Sequence, residues 1–185
     1  MNAERFSKLD PEAKVLDVGG GAIRLSRADY VIDCLPYESG TETCRDGAVG
    51  RCDSTRWIRM DMCDRAPWPF ANGFFDYAVC SHVLEDVRDP IWVCSELQRV
   101  AKAGYIETPS RIVEQSKGVE HPLYAGYYHH RWLVSVEEGC LVFRHKPHSL
   151  HAIRGAMVAR AGAFKRINPM HENLCFEWKG SFGFR

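Results

Sequence analysis

The sequence carries no surplus of either charge. Its 24 Lys and Arg balance 24 Asp and Glu, a formal net charge of zero. It therefore lacks the clustered cationic excess through which a general nucleic-acid binder displaces counterions, and a nucleic-acid partner is disfavoured. Long apolar runs are missing as well. No stretch approaches the roughly 18 apolar residues of a membrane span, and the opening MNAERFSK holds no apolar signal core. The expectation is a cytoplasmic protein without a membrane span. The spacing C-x-x-C is also absent, although eight cysteines are present. Cys34, Cys63, Cys80 and Cys94 lie in or beside apolar runs and read as core. Buried reduced thiols are the favoured reading; a zinc site using Cys44 and Cys52, or disulfides, are the alternatives. Repeats and low-complexity segments are lacking too.

What is present is ordinary globular material: 185 residues, 45% of them apolar. A chain of this size buries roughly 70% of its unfolded surface, so one compact core forms without a staple. The expectation is one domain over 1–185, with a ligand-binding half at about 12–110 and a second region at about 111–185. Residues 14–23 read as a buried strand running into three glycines, and Tyr30–Asp33 as a second strand. The interval between them is too short for a full helix, so the crossover is expected to be a loop or a single turn. Residues 37–56 read as an irregular, mobile surface loop. Strands follow at 57–61, 75–80 and 105–109. Between the last two, Asp89 caps a helix over 91–102, with Pro90 in its first turn and Gly104 as its stop. A short helix after Arg111, a hairpin at 131–136 and 140–144, a helix over 150–161 and a late strand at 174–178 complete the reading. The fold class is α/β: a Rossmann-like three-layer sandwich, its sheet mainly parallel with antiparallel strands at one edge.

Glycine after a strand lets a ligand lie close to the backbone, because no Cβ blocks the approach. Gly19, Gly20 and Gly21 stand at such a place. A dinucleotide site would want a further glycine at position 24, which holds Arg24. Asp33 and Asp61 sit at predicted strand ends and face the same crevice, and an acid after the second strand can accept both hydroxyls of a ribose. A nucleoside without a pyrophosphate fits better than NAD. Each acid taken singly also reads as a turn residue.

Three segments carry a family resemblance: VLDVGGG at 15–21, PFANGFFDYAVCSHVLEDV at 69–87 and ELQRVAKAG at 96–104. Together they resemble the class I S-adenosylmethionine-dependent methyltransferases of the type 11 pattern, over about residues 12–110. The resemblance implies S-adenosyl-L-methionine as cofactor. Gly19 and Gly21, with Gly20 between them, would lie under its methionine part, and Asp17 would organise that loop. Asp33 would hold the ribose, Asp61 the adenine amino group, and the backbone of Met62 the ring. Ser81 and His82 would stand beside the transferable methyl. The sequence departs from the pattern in three places: the helix after the glycine loop is nearly absent, Ile23 replaces a third glycine, and Asp86 replaces the His of H-V-L-E-H.

Direct displacement at a sulfonium asks the protein to align the acceptor and, where needed, to remove its proton. Candidates for that side are Glu107 at the end of the fifth strand and the stretch 121–132, which contains His129 and His130. In an extended stretch those two rings point to opposite faces, so only one would face the cleft. A metal site built from His121, His129 or His130 has no third ligand at a recognisable spacing, and none is expected. Arg111 and Arg131 read either as anion contacts or as surface charges. The acceptor is expected to be a small molecule or cell-envelope precursor. The alternative function is a catalytically inactive S-adenosylmethionine-binding protein of the same fold.

Overall fold

The computed structural model describes residues 6, 8–21, 23–40, 44, 47–152 and 172–185. Its main sheet is built from β1 (Val15–Val18), β2 (Tyr30–Asp33), β3 (Trp57–Arg59), β4 (Tyr77–Ser81), β5 (Ala103–Pro109) and β8 (Asn173–Lys179). The strand order is β3-β2-β1-β4-β5-β8, parallel throughout except for β8, which pairs antiparallel with β5. The α/β class and the antiparallel edge agree with expectation. β6 (Trp132–Glu137) and β7 (Cys140–His145) form the expected hairpin, but it does not extend the main sheet. It builds a second, three-stranded sheet with β9 (Gly183–Phe184), a partner drawn from the far end of the sequence.

All four residues of β1 are buried, as befits a parallel strand covered on both faces. Alternation sorts them. Val15, Val31, Val79 and Tyr105 point to one face, where Phe6, Leu25 and Trp57 meet them. Leu16, Val18, Ile32, Cys80 and Ile106 point to the other, beneath the helix and the hairpin. That helix, α1 (Pro90–Val100), buries Val93, Cys94, Leu97 and Val100. The Asp89 carboxylate accepts the Trp92 N–H at 3.0 Å and Pro90 occupies the first turn, as the sequence predicts.

Gly104 does not end the helix. The chain turns at Ala101, and Gly104 lies inside β5, where an added Cβ would stand 2.5 Å from the Ala78 carbonyl oxygen and 2.8 Å from the Trp178 ring. Its role is close strand packing. Between β1 and β2, residues 23–29 hold no helix, and the buried Leu25 and Ala28 fill the face that a helix would have covered. Two further expectations change. Cys44 and Cys52, read as part of a mobile loop, are buried at 4% and 2% exposure, whereas Cys34, read as core, is exposed where β2 leaves the sheet. None of the eight cysteines is disulfide-bonded. α2 (Arg111–Glu114) matches the short helix expected there. Most of the helix expected over 150–161 lies outside the described residues; a 3-10 turn spans His148–Ala152. Among the described residues no helix is long and apolar enough to cross a membrane.

Candidate functional site

The chain runs outward from β1 through β2 to β3, then returns to the other side of β1 for β4 and β5. The strand order thus reverses between β1 and β4, and the crevice beyond their carboxyl ends is where open α/β sheets bind ligands. Register brings Val18 beside Cys80 and Ser81 beside Glu107, so the glycine loop, Ser81 and Glu107 share one rim.

The glycines are there for shape. Gly19 and Gly21 adopt φ of 73° and 46°, the left-handed region that suits glycine. A Cβ on Gly19 would lie 2.2 Å from Cγ2 of Val83, so the loop rests directly on the turn after β4. Asp17, fully buried, accepts the Leu25 N–H at 2.8 Å and so organises the loop. Asp33 ends β2, also buried, with its two oxygens accepting the N–H groups of Gly21 and Leu35, each at 2.8 Å. Each oxygen can accept one further hydrogen bond. At the end of β4 the Ser81 hydroxyl, and at the end of β5 the Thr108 hydroxyl, are buried without a hydrogen-bond partner among the described residues. A cradle that only glycine permits, a doubly anchored acid beside it and buried polar atoms without partners together fit a nucleoside bearing a polar tail.

Asp61 is placed differently. About half exposed, it accepts from the Arg88 guanidinium and from the Cys63 N–H, and the Arg88 bond holds its carboxyl below the usual range. Met62 buries its side chain in the core, and its carbonyl accepts the Trp68 indole N–H at 3.2 Å.

His82 is the most unusual residue of the rim. It has φ of 57°, uncommon for a residue with a side chain, and its N–H donates to the Glu107 carbonyl at 2.8 Å. Its Nδ1 lies 3.3 Å from Glu85 and its Nε2 3.7 Å from Glu107, both carboxyls buried. The facing carboxylates, Glu107 first and then Glu85, raise the imidazole to about 9 against the opposing effect of burial. Burial works against the Glu107 charge, the facing His82 ring and the hydrogen bond from Tyr105 work for it, and the carboxyl is held at about 2. At neutral pH the pair is ionic.

His129 and His130 do not lie in an extended stretch. A turn at Tyr128–His129 breaks the alternation, and both rings converge on one oxygen of Asp86, with Nε2 atoms 3.9 Å and 3.8 Å away. Arg111 and Arg131 are exposed. Three buried groups that the sequence does not single out support this side. Glu114 in α2 lies 2.6 Å from Nδ1 of His130 and accepts from Lys146 at 2.5 Å, while Glu85 underlies His82. Only Glu85 left a trace in the sequence, three residues after His82 in a motif turn.

Residues 16–106 match the family model described as a methyltransferase domain. No curated protein matches. Among solved structures, the chain is similar to the YcgJ protein of Bacillus subtilis, at 19% identity over 57% of this chain and 48% of that one, TM-score 0.45. It is similar also to an S-adenosylmethionine-dependent methyltransferase from Mesorhizobium loti (18% identity, 78% and 65% covered, TM-score 0.43) and to one from Methanosarcina mazei (15%, 75% and 73%, TM-score 0.45). The chain spans about half the length of several such structures. Residues 16–106, which hold the three motif segments almost whole, are thus similar to a methyltransferase domain over about half of the chain.

Proposed function

We propose that the chain binds S-adenosyl-L-methionine in the crevice between β1 and β4 and transfers its methyl group to a small-molecule or envelope-precursor acceptor. The convergence of the glycine cradle, Asp33 and the unpartnered Ser81 hydroxyl at the point where strand order reverses is the observation that carries this reading. Bound S-adenosylmethionine supplies a methyl on a sulfonium, open to direct displacement. Asp33 accepts the ribose hydroxyls. Gly19, Gly20 and Gly21 admit the methionine part, and Asp17 keeps their loop in place. Asp61, with its charge held by Arg88, and the backbone of Met62 flank the adenine. Residues 12–110 form this half of a single domain, and 111–185 form the acceptor side.

At the methyl, the charged His82 faces Glu85 and Glu107 and has no capacity to take a proton at neutral pH. Glu107, too acidic to be an effective base, accepts hydrogen bonds and keeps His82 oriented. His129 and His130 are the acceptor-side groups whose ring nitrogens converge on one point. Among the described residues no tuned base stands beside His82, which favours, as the second reading, cofactor binding without catalysis.

Titration calorimetry with S-adenosylmethionine and S-adenosylhomocysteine tests the binding step. Both are expected to bind, and Asp33→Ala to weaken them by about 1–3 kcal/mol, the worth of hydrogen bonds to a charged group. No heat from either ligand at millimolar concentration would sink the reading. Binding without transfer to a panel of small acceptors would select the second one.

A further inference from the structure

Two histidines adjacent in sequence and an aspartate remote from them meet at one point beside the crevice. The Oδ1 atom of Asp86 is buried and makes no hydrogen bond among the described residues. The Nε2 atoms of His129 and His130 face it from 3.9 Å and 3.8 Å. The three donor atoms all lie within 4.8 Å of one another. These separations are too long for hydrogen bonds, which fall at about 2.7–3.2 Å. They approach the spacing of donors around a shared ion: two atoms each about 2.1 Å from a tetrahedral centre stand about 3.4 Å apart. A contraction of roughly half an ångström would close the aspartate–histidine sides.

The far sides of the two rings carry the second observation. Nδ1 of the buried His130 lies 2.6 Å from Glu114, and Nδ1 of His129 lies 3.9 Å from Glu120. The close Glu114 carboxylate keeps the proton on Nδ1 of His130 and leaves its Nε2 lone pair free, the arrangement that orients metal-binding histidines, while Glu120 stands farther off behind His129. Glu114 is itself fixed, accepting from the buried Lys146 ammonium at 2.5 Å. The Tyr127 ring lies 4.6 Å from that of His130 and restrains its plane. Glu120 is anchored by the Tyr128 N–H at 2.9 Å.

We propose that Asp86, His129 and His130 bind a divalent first-row transition-metal ion. Two imidazoles and one carboxylate favour zinc, cobalt, nickel, iron or manganese over calcium and magnesium, which prefer all-oxygen shells. Three protein ligands leave coordination positions for water or for an oxygen of another molecule. Asp86 belongs to the same turn as His82, so those positions lie on the acceptor side. That last inference, that the ion receives an acceptor oxygen, rests on the methyl-transfer reading; binding of the ion does not.

The test uses the full chain, stripped with a chelator and titrated with Co2+ and, in parallel, Zn2+. One equivalent of Co2+ is expected to give a d–d absorption band. Asp86→Asn and His129→Ala should each weaken binding by about tenfold or more, and Glu114→Gln, acting through His130, by about 10–100-fold. His129 has a side chain 58% exposed, so its removal leaves the fold intact, and circular dichroism melting checks this. No band at millimolar Co2+ overturns the proposal. So does a band that persists in the Asp86→Asn, His129→Ala double variant, or a thiolate charge-transfer band placing the ion on cysteines. S-adenosylhomocysteine calorimetry on the same samples keeps the two readings separate, because the metal site stands or falls whether or not that ligand binds.

Discussion

His82 gathers three uncommon features in one residue: a left-handed backbone, two buried carboxylates within reach of its ring, and an imidazole raised to about 9. Its folded value lies above the ordinary 6.5, so the protonated form favours the folded state. That contribution is fully present below about pH 6.5 and is lost as pH rises through 9. His82→Asn removes the charge while keeping a residue that tolerates positive φ. Thermal melts in the presence of a chelator should show the variant less stable than the parent at pH 6, with the gap closing by pH 10. An equal gap at every pH would mean that the ion pairs contribute nothing. The identity of His82 was legible through the motif around it. Its charge was not, because that depends on Glu107, which register in the sheet places opposite Ser81. The convergence of His129 and His130 on Asp86 was likewise hidden, since the alternation rule holds only for extended chain and the sequence does not announce the turn at Tyr128.

At the scale of the element, α1 is held by more than its apolar face. Arg99 donates to the carbonyls of Trp68 and Phe70 at 2.9 Å and 2.7 Å, and it pairs with the buried Glu96 at 2.6 Å. Glu96 in turn accepts the Trp68 N–H at 2.7 Å. The proline-containing loop at 67–73 is thereby fastened to the last turns of the helix. Arg99→Met is expected to destabilise the fold by about 2–3 kcal/mol in urea unfolding, because it strands a buried carboxylate. The double variant with Glu96→Gln should recover part of the loss, and an additive double variant would count against the coupling. This helix was the most legible element, its start marked by Asp89-Pro90 and its face by the 3.6-residue period. Its end was misplaced because Gly104, a stop signal by composition, serves strand packing instead. The hairpin too was legible, but not its sheet. Alternation defines a strand's faces, whereas its partner β9 comes from remote sequence.

At the scale of the molecule, the described residues form two sheets sewn together at the turn after β4. The N–H groups of Arg131 and Trp132 both donate to the Glu85 carbonyl, at 2.7 Å and 3.0 Å, and the Trp132 indole donates to the Val87 carbonyl at 2.7 Å. That turn also carries His82 and Asp86, so the entry to the second sheet and the candidate site share one short segment. Trp132→Phe keeps the ring and removes the indole bond. It should lower stability by about 1 kcal/mol with the denaturant slope unchanged, the cost of one unmade hydrogen bond. A changed slope would instead mean that the two sheets come apart separately. The edges of the main sheet have a consequence for life in solution. A chain without net charge has little long-range repulsion to keep its copies apart, and open strand edges are where copies would join. β3, the edge on one side, is only three residues long and ends in Arg59, whose guanidinium donates to the Cys34 carbonyl. β8, on the other, exposes Glu177 and Lys179. Short length and placed charge at its two borders give the neutral protein the colloidal protection that its overall charge does not.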